Sequence, residues 1–292
     1  MHLPKILLFG KIGQVGWELR RTLAPMSVVT CVDYPDVDFT APDSIRRHIA
    51  DAAPDIIINA AAYTAVDKAE TETALATKIN ADAPGIMAEE AQRRGALLVH
   101  YSTDYVFDGD KTTPYIETDT PNPLGAYGRT KLAGDEAIRR SGCDHLIFRL
   151  CWVYGARGSN FMLTMQRLAR EREKLRVVGD QVGCPTWSRM IAETTGHALR
   201  FVRTPSDARA LSGTYHLAAS GHTSWHGFAS AIIDLMPLET RKCREVEAIT
   251  SAEYPTPTKR PAYSILSCAK LEHTFNLRLP DWHDSLRHVV EA

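Results

Sequence analysis

Short apolar runs alternate with helix-period stretches through the first half of the chain. Lys5-Ile6-Leu7-Leu8-Phe9 is almost wholly apolar and stops at Gly10. Residues 28–32, 55–59, 96–101 and 145–150 repeat the pattern. Runs this short, apolar on both faces, suit strands covered on each side by helices. Between them the spacing predicts helices over about 14–23, 44–52, 73–94 and 126–140. Strand and helix in alternation predict an α/β fold with a Rossmann-type, doubly wound parallel sheet. Such a sheet binds ligands beyond the carboxyl ends of its strands, so the chemistry is expected in the loops after these runs.

The second half is less regular. Residues 159–174 read as an amphipathic helix, 214–218 as a strand and 225–235 as a helix. Residues 254–261 hold Pro255, Pro257 and Pro261 and must be a loop. The expected organisation is a dinucleotide-binding domain over 1–151, completed by part of 182–240. A smaller C-terminal substrate-binding lobe would come from 152–181 and 241–292.

Composition narrows the classes. A chain of 292 residues can bury one large core or carry a smaller lobe beside it. Apolar residues at 44% and charged residues at 24% describe a folded chain rather than a disordered one. A net charge of −1 gives no reason to expect nucleic acid or an anionic membrane as partner. No apolar run reaches the ~18 residues of a membrane span. The first residues lack the pattern of a secretory leader, so a cytoplasmic location is expected. Cys31, Cys143, Cys151, Cys184, Cys243 and Cys268 show no metal-type spacing and read as scattered reduced thiols. His216, His222 and His226 lack a carboxylate at ligand spacing and read as structural or solvated.

Gly10-Lys11-Ile12-Gly13-Gln14-Val15-Gly16 joins the first strand to the first helix. Glycines allow a tight turn and a close approach of backbone to pyrophosphate, and the helix N-terminus favours an anion. The spacing is GxxGxxG rather than GxGxxG, so position as much as pattern points to a dinucleotide. Asp33 ends the second strand, where it either binds adenosine ribose hydroxyls or is a solvated turn aspartate. The first reading favours NADH, whereas Lys11 and nearby arginines leave NADPH open. Asp38 and Phe39 follow, where they could flank the adenine.

Tyr127 and Lys131 form a YxxxK pair, which a helix places on one face. A free phenol has a pKa of about 10, too high for efficient proton transfer near neutrality. A nearby ammonium is expected to lower it. Tyr127 could then protonate an alkoxide forming from a ketone, with Lys131 also holding the nicotinamide ribose. Ser102-Thr103-Asp104 follows the fourth strand, and Thr103 could share the carbonyl oxygen with Tyr127.

On these motifs the chain resembles the extended short-chain dehydrogenase/reductase family, and within it the family of dTDP-4-dehydrorhamnose reductases. The resemblance runs through the phosphate loop, Asn59–Glu70, Tyr101–Phe107, Tyr127–Gly134, Trp152–Gly155, Asp180–Thr186 and Arg260–Ser264. It implies NADPH- or NADH-dependent reduction of the C4 ketone of dTDP-4-dehydro-L-rhamnose. Tyr127 would be the proton donor, Lys131 its partner and Thr103 the third catalytic group. Gly10, Gly13, Gln14, Val15 and Gly16 would cradle pyrophosphate, and Asp38 and Phe39 would meet adenosine. Ala61, Ala62 and Tyr63 would lie against the cofactor, and Thr103, Asp104 and Trp152 would contact the sugar. Arg260 would clamp the substrate diphosphate. Some members form homodimers bridged by a metal such as magnesium. Glu18 and Glu291 stand where ligands could fall, although Arg189 sits where more acid would be expected.

Alternatives share the scaffold. Sugar-nucleotide dehydratases carry a glutamate after Thr-Asp, whereas Tyr105 stands here and cannot act as a carboxylate base. An epimerase would hold its NAD tightly through oxidation and re-reduction. A reading from another class is a non-catalytic, NADP-binding subunit like the regulatory subunit of methionine adenosyltransferase.

Overall fold

The computed structural model describes residues 3–291, the last of these by its backbone alone. Strands β1 (Lys5–Phe9), β2 (Val28–Val32), β3 (Ile56–Asn59), β4 (Leu97–Thr103) and β5 (His145–Leu150) form a parallel sheet. Helices α1 (Gln14–Leu23), α2 (Pro42–Ala52), α3 (Thr73–Thr77), α4 (Ala83–Arg94) and α5 (Ala126–Ser141) connect them. The stretch from 73 to 94, expected as one helix, is interrupted by a π-turn at Lys78–Asp82. Asn80 in that turn clamps Tyr63: its Oδ1 accepts from the Tyr63 N–H (2.8 Å) and its Nδ2 donates to the Tyr63 carbonyl (3.1 Å). The extra residue of a π-turn turns the amide off the helix to reach the loop after β3.

Beyond β5 come β6 (Val153–Tyr154), α6 (Phe161–Glu171), β7 (Lys174–Val178), β8 (Val182–Gly183), β9 (Thr186–Trp187), α7 (Ser188–Leu199) and α8 (Pro205–Leu211). Strand β10 (Gly213–His216) then pairs with β5 as the sixth parallel strand. The rest is β11 (Thr223–Ser224), α9 (Trp225–Asp234), β12 (Glu245–Ile249), α10 (Ala269–Phe275) and α11 (Trp282–Glu291).

The sheet order is β10-β5-β4-β3-β1-β2, so the chain reverses direction across the sheet between β1 and β3. Alternate strand residues enter two cores. Ile6, Leu8, Ile58, Val99 and Phe148 pack with Leu19, Leu23, Ile191 and Leu199 on one face. Leu7, Phe9, Ile57, Leu98 and Ile147 pack with Ile45, Ile49, Met87 and Ile138 on the other. A third core joins Met162, Leu175, Val177, Phe228, Ile232 and Leu286, with β7 and β12 pairing in parallel inside it. Leu271, Phe275 and Leu279, from the stretch expected in the smaller lobe, belong instead to the first sheet core. Among the described residues, no helix is long and apolar enough to cross a membrane.

Candidate active site

A cleft opens where the sheet changes direction, beyond the carboxyl ends of β1, β3, β4 and β5. At its floor Gly10 has φ +87°, and a Cβ there would meet Ala60 C and Ala61 N at 2.6 Å. A Cβ at Gly16 would lie 1.9 Å from the Gly10 carbonyl oxygen, so α1 closes on the loop only because Gly16 has no side chain. Gly13 differs. It lines the cleft, and a Cβ there would meet nothing closer than 3.6 Å, so its missing side chain leaves room for a ligand. Gly13 is also the N-cap of α1 and offers no capping side chain, so the first-turn N–H groups are left to the cleft. Gln14 and Val15 line it as well. Backbone cradle and open helix end fit a dinucleotide pyrophosphate.

Asp33 also lines the cleft, but its carboxylate braces the loop: it accepts from the Ile12 N–H (2.9 Å) and the Tyr34 N–H (2.9 Å). Phe39 is in the wall, whereas Asp38 is not. Its carboxylate is drawn back onto the Thr40 hydroxyl (2.7 Å) and N–H (2.8 Å). Ala61 and Ala62 line the cleft. The Tyr63 side chain does not, because its hydroxyl donates to Glu72 (2.5 Å) on the outside.

Thr103, Asp104, Tyr127 and Lys131 converge on one wall. Helix α5 can approach β4 this closely because Gly128 packs under the Tyr105 carbonyl, where a Cβ would meet it at 2.2 Å. Lys131 is 1% exposed, and its Nζ donates to the Tyr101 carbonyl (2.6 Å). Burial, partly offset by Asp135, lowers its pKa to about 8. Thr103 lies beside the phenol of Tyr127, and Tyr105 stands edge-on to the Tyr127 ring at 5.5 Å. Burial pushes Tyr127 up to about 12, with Thr103 pulling the other way and Asp104 and Asp135 adding to the rise. The lowering of the phenol pKa expected from Lys131 is therefore not realised: burial dominates, and the other groups acting on the phenol are Thr103, Asp104 and Asp135. Tyr127 is held as a proton-bearing phenol. The Thr103 hydroxyl donates to Asp104 Oδ1 (3.0 Å), and Asp104 Oδ2 is buried without a partner. Burial raises Asp104 to about 6.

The far wall is aromatic. Trp152, at φ +44°, stacks on Trp225, and Phe161 lies 4.6 Å from the Trp225 ring centre. Trp225 and Phe161 escaped the reading of the sequence, because a tryptophan at the start of an amphipathic helix looks like a core residue. Arg260 reaches the cleft with its Nη2 on Asp67 (3.1 Å), and its Nε has no partner. Glu18 lies elsewhere, bonded to Arg21 (3.0 Å) and facing Arg189 Nε (3.5 Å). These cations face the carboxylate that stands where a metal ligand could fall. The side chain of Glu291 lies outside the described residues. Among the described residues, no group of three or more His, Cys, Asp and Glu side chains could hold a metal.

A tyrosine and a lysine one helical turn apart, beside an open glycine cradle at the edge of a doubly wound sheet, define a nicotinamide-dependent oxidoreductase of the extended short-chain type. The family model described as RmlD substrate binding domain matches residues 4–292. The dTDP-4-dehydrorhamnose reductase of Burkholderia thailandensis is 48% identical over 286 residues, covering 95% of each chain. That of Escherichia coli K12 is 44% identical, covering 98% of this chain and 96% of its own. The crystal structure of dTDP-4-dehydrorhamnose reductase from Bacillus anthracis in complex with NADP superposes with a TM-score of 0.90 at 34% identity, covering 99% of this chain and 100% of that one. The chain belongs to the dTDP-4-dehydrorhamnose reductase family.

Proposed function

We propose that this protein reduces the C4 ketone of dTDP-4-dehydro-L-rhamnose to dTDP-L-rhamnose at the expense of NADPH or NADH. The observation that carries this reading is the convergence of Thr103, Tyr127 and Lys131 on one wall of a cleft whose floor is a glycine cradle. A nicotinamide dinucleotide bound in that cradle supplies the hydride. Gly10, Gly13, Gln14 and Val15 hold its pyrophosphate, Phe39 its adenosine end, and Ala61 and Ala62 its middle. Lys131, anchored on Tyr101, presents its remaining hydrogen-bonding capacity to the ribose beside Tyr127.

The substrate ketone lies against Tyr127 and Thr103. Tyr127 passes its phenolic proton to the oxygen as negative charge develops there, and a pKa raised by burial keeps that proton available at neutral pH. Thr103 donates a second hydrogen bond to the same oxygen, drawing its hydroxyl away from Asp104. Asp104 meets the sugar hydroxyls. Trp152, Phe161 and Trp225, from the smaller lobe, close the site against water. Arg260, held by Asp67 at the cleft wall, offers its guanidinium to a diphosphate oxygen.

The test is a spectrophotometric assay of NADPH and NADH oxidation with the keto sugar generated in situ. Sugar-dependent loss of the reduced cofactor is the expected result. Cofactor binding without turnover would sink the reading in favour of a non-catalytic binding subunit.

A further inference from the structure

Beneath the catalytic pair lies a set of buried polar groups that the mechanism above does not use. His100 from β4, Asp135 from α5 and Arg149 from β5 are each at most 2% exposed. Arg149 Nε lies 3.5 Å from Asp135 Oδ2, and the Ser102 hydroxyl donates to that same oxygen at 2.8 Å. His100 Nε2 lies 3.1 Å from Lys131 Nζ and 3.9 Å from Asp135 Oδ1, an oxygen without a hydrogen-bond partner.

The hydrogen bonds around the ring decide its protonation. The Ala61 N–H can only donate, and it meets one amide atom of Asn59 at 3.1 Å, so that atom is the oxygen. The other is the NH2 group, and it meets His100 Nδ1 at 3.1 Å. Nδ1 must accept. The ring is therefore neutral and carries its proton on Nε2. Burial, with Lys131 adding to it, holds the His100 pKa well below its ordinary value, in agreement.

The Nε2 hydrogen thus faces the Lys131 nitrogen. An ammonium can only donate, whereas a neutral amine can also accept. The contact is satisfied when Lys131 is neutral. Once Lys131 takes a proton, the other acceptor facing this hydrogen is Asp135 Oδ1, at 3.9 Å, which a small tilt of the ring would bring into hydrogen-bond range. The groups facing this cluster are Tyr127 on α5, Arg149 and His145 on β5, and Arg139 on α5. Burial also raises the Asp135 pKa, while Arg149 and Lys131 pull it down, so Asp135 titrates together with Lys131.

We propose that His100 is a positioning residue for the reduction: locked by Asn59 as its Nε2–H tautomer, it shares its hydrogen between Lys131 and Asp135 and so sets the pH range over which Lys131 is charged. This rests on the reading that Tyr127 and Lys131 carry out the reduction.

Two measurements test it. In the full-length protein with 15N-labelled histidine, assigned by triple-resonance NMR, His100 should show a protonated Nε2 and a bare Nδ1 at neutral pH. A charged ring or a proton on Nδ1 overturns the proposal. The second is the pH profile of kcat/KM for His100→Gln. A glutamine can turn its carboxamide oxygen to Lys131 and stabilise the ammonium, so the basic limb should move up by about one pH unit. A side chain that only fills space would lower the rate evenly and leave the limb in place, and that result also overturns it. A wild-type protein that fails to reduce the keto sugar sinks the functional reading instead, while the NMR result still decides the tautomer.

Discussion

Trp152 lies face to face on Trp225, with ring centroids 3.5 Å apart and planes 8° from parallel. Gly183 lies against Trp152, where a Cβ would fall 2.5 Å from the Trp152 ring. A left-handed backbone at Trp152 is strained, and stacking on one side with a glycine on the other is what holds it. The pair forms the wall opposite Tyr127.

Trp225→Ala should therefore act on the sugar rather than on the cofactor. Loss of the stack frees Trp152 to leave its strained conformation. We expect KM for the keto sugar to rise roughly tenfold, as removing an aromatic pair of about 1 kcal/mol plus its packing would give. Cofactor affinity, measured by fluorescence titration, should change by less than about twofold. An unchanged sugar KM would remove Trp225 from the site.

Tyr127→Phe keeps the ring and its edge-on contact with Tyr105 but deletes the proton. Turnover should fall by roughly 10²–10⁴-fold, the usual worth of a positioned general acid. Binding of NADPH should persist, because the glycine cradle and Lys131 are untouched. Full activity in this variant would refute the proton-donor role.

Gly16→Ala tests the cradle. The added methyl would collide with the Gly10 carbonyl and push α1 off the loop. We expect a loss of about 1–3 kcal/mol of stability by overpacking, seen in thermal unfolding. Cofactor affinity should weaken as well. A variant with native stability and affinity would show that the loop does not need this close approach.

Asp104 carries a pH signature. Burial raises its folded pKa to about 6, above the ordinary carboxylate value. A raised pKa means that its contribution to stability is intact below the ordinary carboxylate range and is lost as pH rises through about 6. Above that pH the buried charge destabilises the free protein by on the order of 2 kcal/mol. Asp104→Asn has no such dependence. The melting temperature of the variant relative to wild type should climb between pH 4.5 and pH 7.5, values spanning the shift. A constant difference across that range would show that Asp104 is not held protonated.

Most of the sheet was legible in the amino-acid sequence, because a strand buried on both faces must be apolar throughout. The runs ending at Phe9, Asn59 and Leu150 stop where β1, β3 and β5 stop, and the run ending at Val32 is the half-exposed edge strand β2. The helix over 73–94 was legible as a helix but not as an interrupted one. Its π-turn is dictated by the partner that Asn80 reaches seventeen residues back at Tyr63, and no local pattern records that contact. Polar residues in apolar strands were a signal left unread: His100 in β4 and Arg149 in β5 had to meet partners, and both do so under the active site.

The sequence by itself determined the local chemistry: a glycine loop before a helix, a tyrosine and a lysine one turn apart, and a Thr-Asp step after a strand. Each depends only on spacing within one element or its immediate neighbour, which the helix and strand periods fix. The tertiary structure decided which of these side chains face the cleft. It turned Asp38 back onto Thr40 and Tyr63 outward onto Glu72, paired Glu18 with arginines, and brought Trp225 from the start of α9 to lie on Trp152. It also set the proton affinities, lifting Tyr127 and lowering Lys131. Burial is a property of the whole packed chain, and an ionisable group in a short motif does not carry it.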